Sequence, residues 1–137
     1  MSESQMWSRL RPRLKEYDPV RIEDSVGLGT PDVNLKGGQW IELKQIRAWP
    51  KRIDSIVATP HFRAQQRVWL TRRCRAGGQA FLLLHVAESD EWILFYGETA
   101  AHLLGRVPRN RLLPHALGCF AGPDPMLIKL LAGAEHD

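Results

Sequence analysis

Apolar residues recur at Trp7, Leu10 and Leu14 between about Ser4 and Glu16, the spacing of a helix that buries one face. Pro12 falls inside that span and predicts a kink or a later start, because it lacks a backbone donor and crowds the preceding turn. "DPVRIED" then predicts a turn and a short strand. From Pro31 the period falls to two. "PDVNLKGGQWIELKQI" reads as two strands joined at the Gly37-Gly38 pair. An irregular basic connection, "RAWPKRIDSIVATP", follows. Thr59 and Pro60 predict the cap and first position of a second helix that Gly77 ends. "QAFLLLHVA" is apolar nearly throughout and predicts a central strand covered on both faces. "ESDE" is a turn, "WILFYG" a returning strand, and short helices are predicted near Glu98 to Leu104 and Asp124 to Leu131. Helix, strands, helix, strands is the order of a mixed α/β domain around one sheet.

Composition changes this picture little. The 137 residues suit one domain, and 44% hydrophobic with 25% charged residues is ordinary for a globular chain. The opening "MSESQMWSRLRPRLKEY" has no apolar segment of the secretory kind, and "AFLLLHVA" is too short to span a bilayer. Cys74 and Cys119 are too few for a disulfide framework and form no metal-ligand pair. The expectation is a cytoplasmic protein without membrane contact, its cysteines serving as small buried hydrophobes. The histidines, at 61, 85, 102, 115 and 136, show no zinc spacing; His85 is expected as a hydrogen-bonded core residue and His61 in a surface or capping role.

Charge changes the picture more. The net charge of +4 is unevenly spread: Lys44, Arg47, Lys51, Arg52, Arg63, Arg67, Arg72, Arg73 and Arg75 face the single acid Asp54 in their stretch. Such a run is what a phosphate-binding surface requires, since neutralising phosphates releases counterions. Trp49, between Arg47 and Lys51, is the tryptophan placed to touch DNA; most of the tryptophans are expected in the core.

The hairpin carries the candidate chemistry. Residues two apart in a strand share a face, so Ile41 and Leu43 serve the core while Glu42 and Lys44 stand together on the other side. A carboxylate there can bind a hard divalent cation, and an ammonium can offset phosphate charge or orient a water. Register decides whether Asp32 joins them. A two-residue turn would pair Val33 with Glu42 and turn Asp32 away. A three-residue loop with a left-handed glycine brings Asp32 opposite Glu42 or Lys44. The odd register is therefore expected, or else an Asp32 just ahead of the paired strand. Gln66, at the edge of the second helix's apolar stripe, needs a partner for its amide; Gln65 should face outward.

"PD" at Pro31-Asp32 and "ELK" at Glu42-Leu43-Lys44 resemble the signature of the PD-(D/E)XK nuclease superfamily. "EDSVGLGTPD", the apolar frame of "WIELK" and "QQRVWLTRRCRAGGQAFLLL" resemble its VRR-NUC and phage Holliday-junction-resolvase-like branch. The resemblance covers about Glu23 to Val86. It implies a restriction-endonuclease-like mixed sheet flanked by helices, one nuclease domain over residues 1–137, and Mg2+ or Mn2+ as cofactor. It gives Asp32, Glu42 and the Leu43 main-chain carbonyl as metal ligands and Lys44 as the residue that positions the attacking water. Glu23 is the implied auxiliary acid, in contact with the metal or one water away, with Glu16 on the opening helix as its rival. Gln66 matches the branch's helix glutamine. The implied activity is phosphodiester hydrolysis leaving a 5'-phosphate, on branched DNA, and the implied origin of the chain is phage or bacterial. Arg47, Lys51, Arg52, Arg63 and Arg67 would hold the backbone, and a homodimer would supply the two sites a junction needs. A nonspecific or flap-type nuclease, and a nucleic-acid-binding module that does not cut, are the alternatives.

Overall fold

The computed structural model describes residues 2–23 and 27–133; His136 lies outside them. Helix α1 spans Glu3–Leu10, capped by Ser2, whose hydroxyl accepts from the Gln5 N–H. The chain then tightens into a 3-10 helix, Arg11–Tyr17. Pro12 is the reason, because it cannot donate back into the α1 ladder. The buried stripe is Met6, Leu10 and Leu14, not one that begins at Trp7, which is only half-buried.

Six strands follow in the spatial order of the sequence: β1 Val20–Arg21, β2 Val33–Asn34, β3 Trp40–Ile46, β4 Ala80–Val86, β5 Glu91–Tyr96 and β6 Gly118–Phe120. All neighbours are antiparallel except β3 and β4, which run parallel in register from Trp40↔Ala80 to Ile46↔Val86. A parallel pair needs a crossover, and helix α2, Ala64–Arg75, supplies it. Among the described residues, helices α3 (Gly97–Leu103), α4 (Arg109–Leu112) and α5 (Pro125–Ala132) lie after β5. The α/β class with one mixed, helix-flanked sheet is as expected. Sequence patterning missed β6 and α4.

Alternation along the strands divides the core into two layers. Ile41, Leu43, Phe81, Leu83 and Trp92 pack against α1, the 3-10 helix and α5. Ile46, Leu82, Leu84, Ile93 and Phe95 pack against α2 and α3. β4 is buried throughout, which its unbroken apolar run requires. On the α1 side one polar chain crosses the layer. Arg9 grips Asp90 with two bonds of 2.7 and 3.0 Å. Asp90 Oδ1 in turn meets His85 Nε2 at 2.7 Å and accepts from Trp92 Nε1 at 3.1 Å. Gln45 Nε2 closes the chain 3.4 Å from His85 Nδ1.

Two local expectations are corrected. Helix α2 begins at Ala64, not at Pro60: Thr59 is buried, its hydroxyl donating to the Val57 carbonyl, and residues 60–63 form a turn. Arg63 is the cap residue, its N–H donating to Gln66 Oε1 at 2.8 Å. The cysteines are not a buried pair of hydrophobes: Cys74 is half-buried and Cys119, on edge strand β6, is exposed. No helix among the described residues is long and apolar enough to cross a membrane.

Candidate active site

The hairpin loop sets the site. Lys36, Gly37 and Gly38 form a three-residue connection, closed by Leu35 N–H donating to the Gln39 carbonyl and Gly38 N–H donating to that of Leu35, both at 2.9 Å. Gly38 has φ +92°, which a residue without Cβ adopts freely. Val33 therefore pairs with Ile41 and Asn34 with Trp40. Continued by one residue, that register puts Asp32 opposite Glu42 and just ahead of β2, as the odd register required. β2 covers only the start of β3, so the edge of β3 beyond it stays open. Asp32 reaches that edge: its Oδ2 accepts from the Leu43 N–H at 2.8 Å. Arg21 holds the other oxygen at 3.1 Å.

Glu42 and Lys44 face the α2 layer and are almost wholly buried, at 1% and 3% exposure. Lys44 Nζ lies 3.2 Å from Glu42 Oε2, and Gln66 Nε2 donates to the same oxygen at 3.4 Å. Glu42 Oε1 is buried with no hydrogen-bond partner. Burial first, then the neighbouring Asp32 carboxylate, pushes the Glu42 carboxyl well above the usual carboxylate range, and Lys44 only partly offsets this. Two carboxylates are both acceptors and cannot satisfy one another without a proton or a cation between them.

The donor set suits a hard divalent cation. An orphan carboxylate oxygen and an adjacent carboxylate supply oxygen ligands. The N–H and C=O of one strand residue point the same way, so the Leu43 carbonyl also faces the open edge. Among the described residues no three His, Cys, Asp or Glu side chains converge as a metal-ligating group. A cation would rest on two carboxylates, a main-chain carbonyl and water, a set magnesium accepts because it keeps several waters.

Around this centre lies a cleft of about 280 Å³, lined by Glu3, Asp32, Lys44, His61, Arg63, Gln65 and Gln66 and by the 27–30 loop. The loop fits because position 29 is glycine: φ is +84°, and a Cβ there would stand 2.3 Å from the Gln65 carbonyl oxygen of α2. Glu23 is exposed and is not among the lining residues; Glu16, on the 3-10 helix, is exposed as well. The acid that α1 brings to the cleft is Glu3, 3.2 Å from His61 Nε2. Burial, then the Lys44 charge, lowers the His61 pKa, against Glu3 and the Gln45 backbone. Glu3 and His61 in the cleft, and Arg21 behind Asp32, are the site residues sequence reasoning missed or set aside. Only the acid in the first helical turn of α1 offered a local signal.

Of the basic residues, Arg63 lines the cleft. A wider groove of about 630 Å³ shares His61 with it and is lined by Arg47, Trp49 and Lys51. Arg52 is exposed and paired with Asp54 at 3.3 Å. Trp49 and Arg67 are committed elsewhere. The Trp49 indole donates to Glu91 at 2.7 Å. Arg67 donates to the Ala101 carbonyl at 2.9 Å and lies over the Phe62 ring at 4.2 Å. No protein-family model matches the chain, and no curated protein matches it.

Proposed function

We propose that this chain is a Mg2+- or Mn2+-dependent DNA endonuclease of the PD-(D/E)XK type, hydrolysing phosphodiester bonds in branched DNA. The observation that carries the reading is the buried, partnerless Glu42 Oε1 beside Asp32, with Lys44 on the same strand face. Burying a carboxylate with an unmet oxygen costs several kcal/mol unless something binds it, and a cation is the fitting partner. The hairpin, crossover helix and following strand run in the order the resemblance gives.

When bound, the cation supplies charge at the phosphate and acidifies water. The protein's own residues do the rest. Asp32 and Glu42 hold the cation, joined by the Leu43 carbonyl. Arg21 and the Leu43 N–H fix Asp32, and Gln66 fixes Glu42. Lys44, which lines the cleft beside Glu42, offers its charge to the attacking water or a phosphate oxygen, where it counts most in the transition state. Glu3 takes the auxiliary role expected of Glu23 or Glu16, and orients water through His61. Arg63 and the groove of Arg47 and Lys51 carry the flanking phosphates. One such site cuts one strand and leaves a 5'-phosphate. A four-way junction then calls for a homodimer.

The test is cleavage of a labelled panel (four-way junction, flap, duplex and single strand) with magnesium or manganese. Asp32→Asn and Lys44→Ala run beside the parent chain, with melting curves to confirm folding. Metal-dependent cutting lost in both variants supports the nuclease, and paired symmetric nicks make it junction-specific. Tight junction binding with no cutting by the parent chain under either metal sinks the enzyme and leaves a binding module.

A further inference from the structure

Helix α2 serves more than the cleft. On the side facing α3 lies a groove of about 410 Å³, walled by Arg67, Thr71, Arg72 and Arg75 of α2 and by His102 and Arg106 across from them. Its apolar lining comes from Ala101, which is buried, and from Val68, which is exposed. The cations are not balanced. Glu98 pairs with Arg75 at 2.9 Å, but among the described residues no acid pairs with Arg72 or Arg106. The backbone itself crowds the positive charges. Gly105 has φ +89°, and a Cβ there would stand 2.9 Å from Arg67 Nη2, so the turn carries the chain over that guanidinium and delivers Arg106 beside it. Burial and the Arg106 charge both lower the Arg67 pKa. Cations gathered this way on an open surface are stabilised by a shared anion.

We propose that this α2–α3 groove is a second nucleic-acid site, taking the phosphodiester backbone of a strand along Arg72, Arg75 and Arg106. The guanidinium fork matches phosphate geometry, and residues 67 to 75 run for about 12 Å along the helix, long enough to meet successive backbone charges. The helix links groove to cleft: Gln66 turns to Glu42, and the next residue, Arg67, lines the groove. A polyanion of regular charge spacing fits this series better than an acidic peptide, whose side chains would need to be ordered to match it. The site goes beyond the nuclease reading and stands or falls without it.

The test is fluorescence anisotropy of a labelled duplex and a labelled four-way junction, without divalent metal, at salt between about 50 and 200 mM. Arg72→Ala/Arg106→Ala is compared with the parent chain and with Arg11→Ala/Arg13→Ala, on the 3-10 helix of the opposite face. The expected result is affinity weakened about 10-fold and a log–log salt slope reduced by about 2, near 0.9 per lost phosphate contact, with the control pair unchanged. Arg72→Lys/Arg106→Lys should keep the parent slope. Unchanged affinity and slope in the alanine pair overturn the site, as does an acidic peptide bound more tightly than DNA through the same arginines. All four arginines are exposed, so folding should survive; should the double variant melt early, the single variants are read the same way. Because metal-free binding is scored, the result is independent of whether Asp32→Asn abolishes cutting.

Discussion

Two polar clusters are set on opposite faces of the same sheet, and they are finished differently. Around His85 the partners close: Arg9, Asp90, Trp92 and Gln45 meet one another at 2.7 to 3.4 Å. Around Glu42 they do not, since Lys44 and Gln66 share one oxygen and leave the other bare. A closed network fixes α1 to the β4–β5 turn and asks for nothing more. An open one keeps a cost on the folded chain that a ligand can remove. Burial of charge alone does not separate structural from chemical residues; the state of the last lone pair does.

The largest effect should come from exchanging one residue between the clusters' roles. Asp32→Asn should cut metal-dependent cleavage on the order of 10²- to 10³-fold, the size expected when several kcal/mol of charge stabilisation go, with little change in melting. Asp90→Ala should do the reverse. It strands the buried His85 at about 1–3 kcal/mol, seen as a melting point lower by roughly 5–10 °C with cutting retained. If both variants lose both properties, the contrast fails.

Metal should then sharpen the contrast. At about 100 times its dissociation constant, magnesium or manganese should stabilise the fold by about 2.7 kcal/mol, with no gain in Asp32→Asn. The sign with pH follows from Glu42. Its raised pKa means that protons compete with the cation for this carboxylate, so the metal-induced rise in melting temperature should grow as pH rises. A rise that is larger at low pH would contradict this assignment. Gln66→Ala, which removes the amide steadying Glu42, should weaken metal affinity by about 10- to 100-fold in calorimetry.

The smallest effect is the acid limb of the closed cluster. Burial lowers the His85 pKa, and the Arg9 guanidinium lowers that of Asp90. Both groups bind protons more readily unfolded, so both contributions are lost on acidification. His85 fades as pH falls below its ordinary value of about 6.5, and Asp90 below about 3.9. Melting curves of His85→Gln should be flatter between those limits than those of the parent chain.

What could be read from the sequence follows the range of the forces involved. Strand parity is local, so the division of Glu42 and Lys44 from Ile41 and Leu43 was legible, and the Gly37-Gly38 pair was enough to weigh the register. β4 was legible for the same reason, being uniformly apolar. The start of α2 was not, because Thr59 and Pro60 look like a helix entry until Thr59 turns its hydroxyl to Val57. β6 is a three-residue edge strand that exists only by pairing with β5, and nothing in "GCF" announces it. Glu3 was passed over for Glu23 and Glu16 because tertiary packing of α1 on the sheet, not spacing along the chain, carries it to the cleft. Arg21 was likewise hidden until β1 lay beside β2.

The register that starts at Leu35 and Gln39 makes the site's competence a matter of odd and even. Removing Asn34 would leave every charged residue in place and the Lys36-Gly37-Gly38 loop intact. It would bring Asp32 opposite Ile41, turning its carboxylate toward the apolar side of Ile41 and Leu43. Restoring one residue between Asp32 and Leu35 would turn it back. Chemistry that rests on a hairpin's count can thus be switched off, and on again, by single-codon insertions and deletions that touch no reactive group.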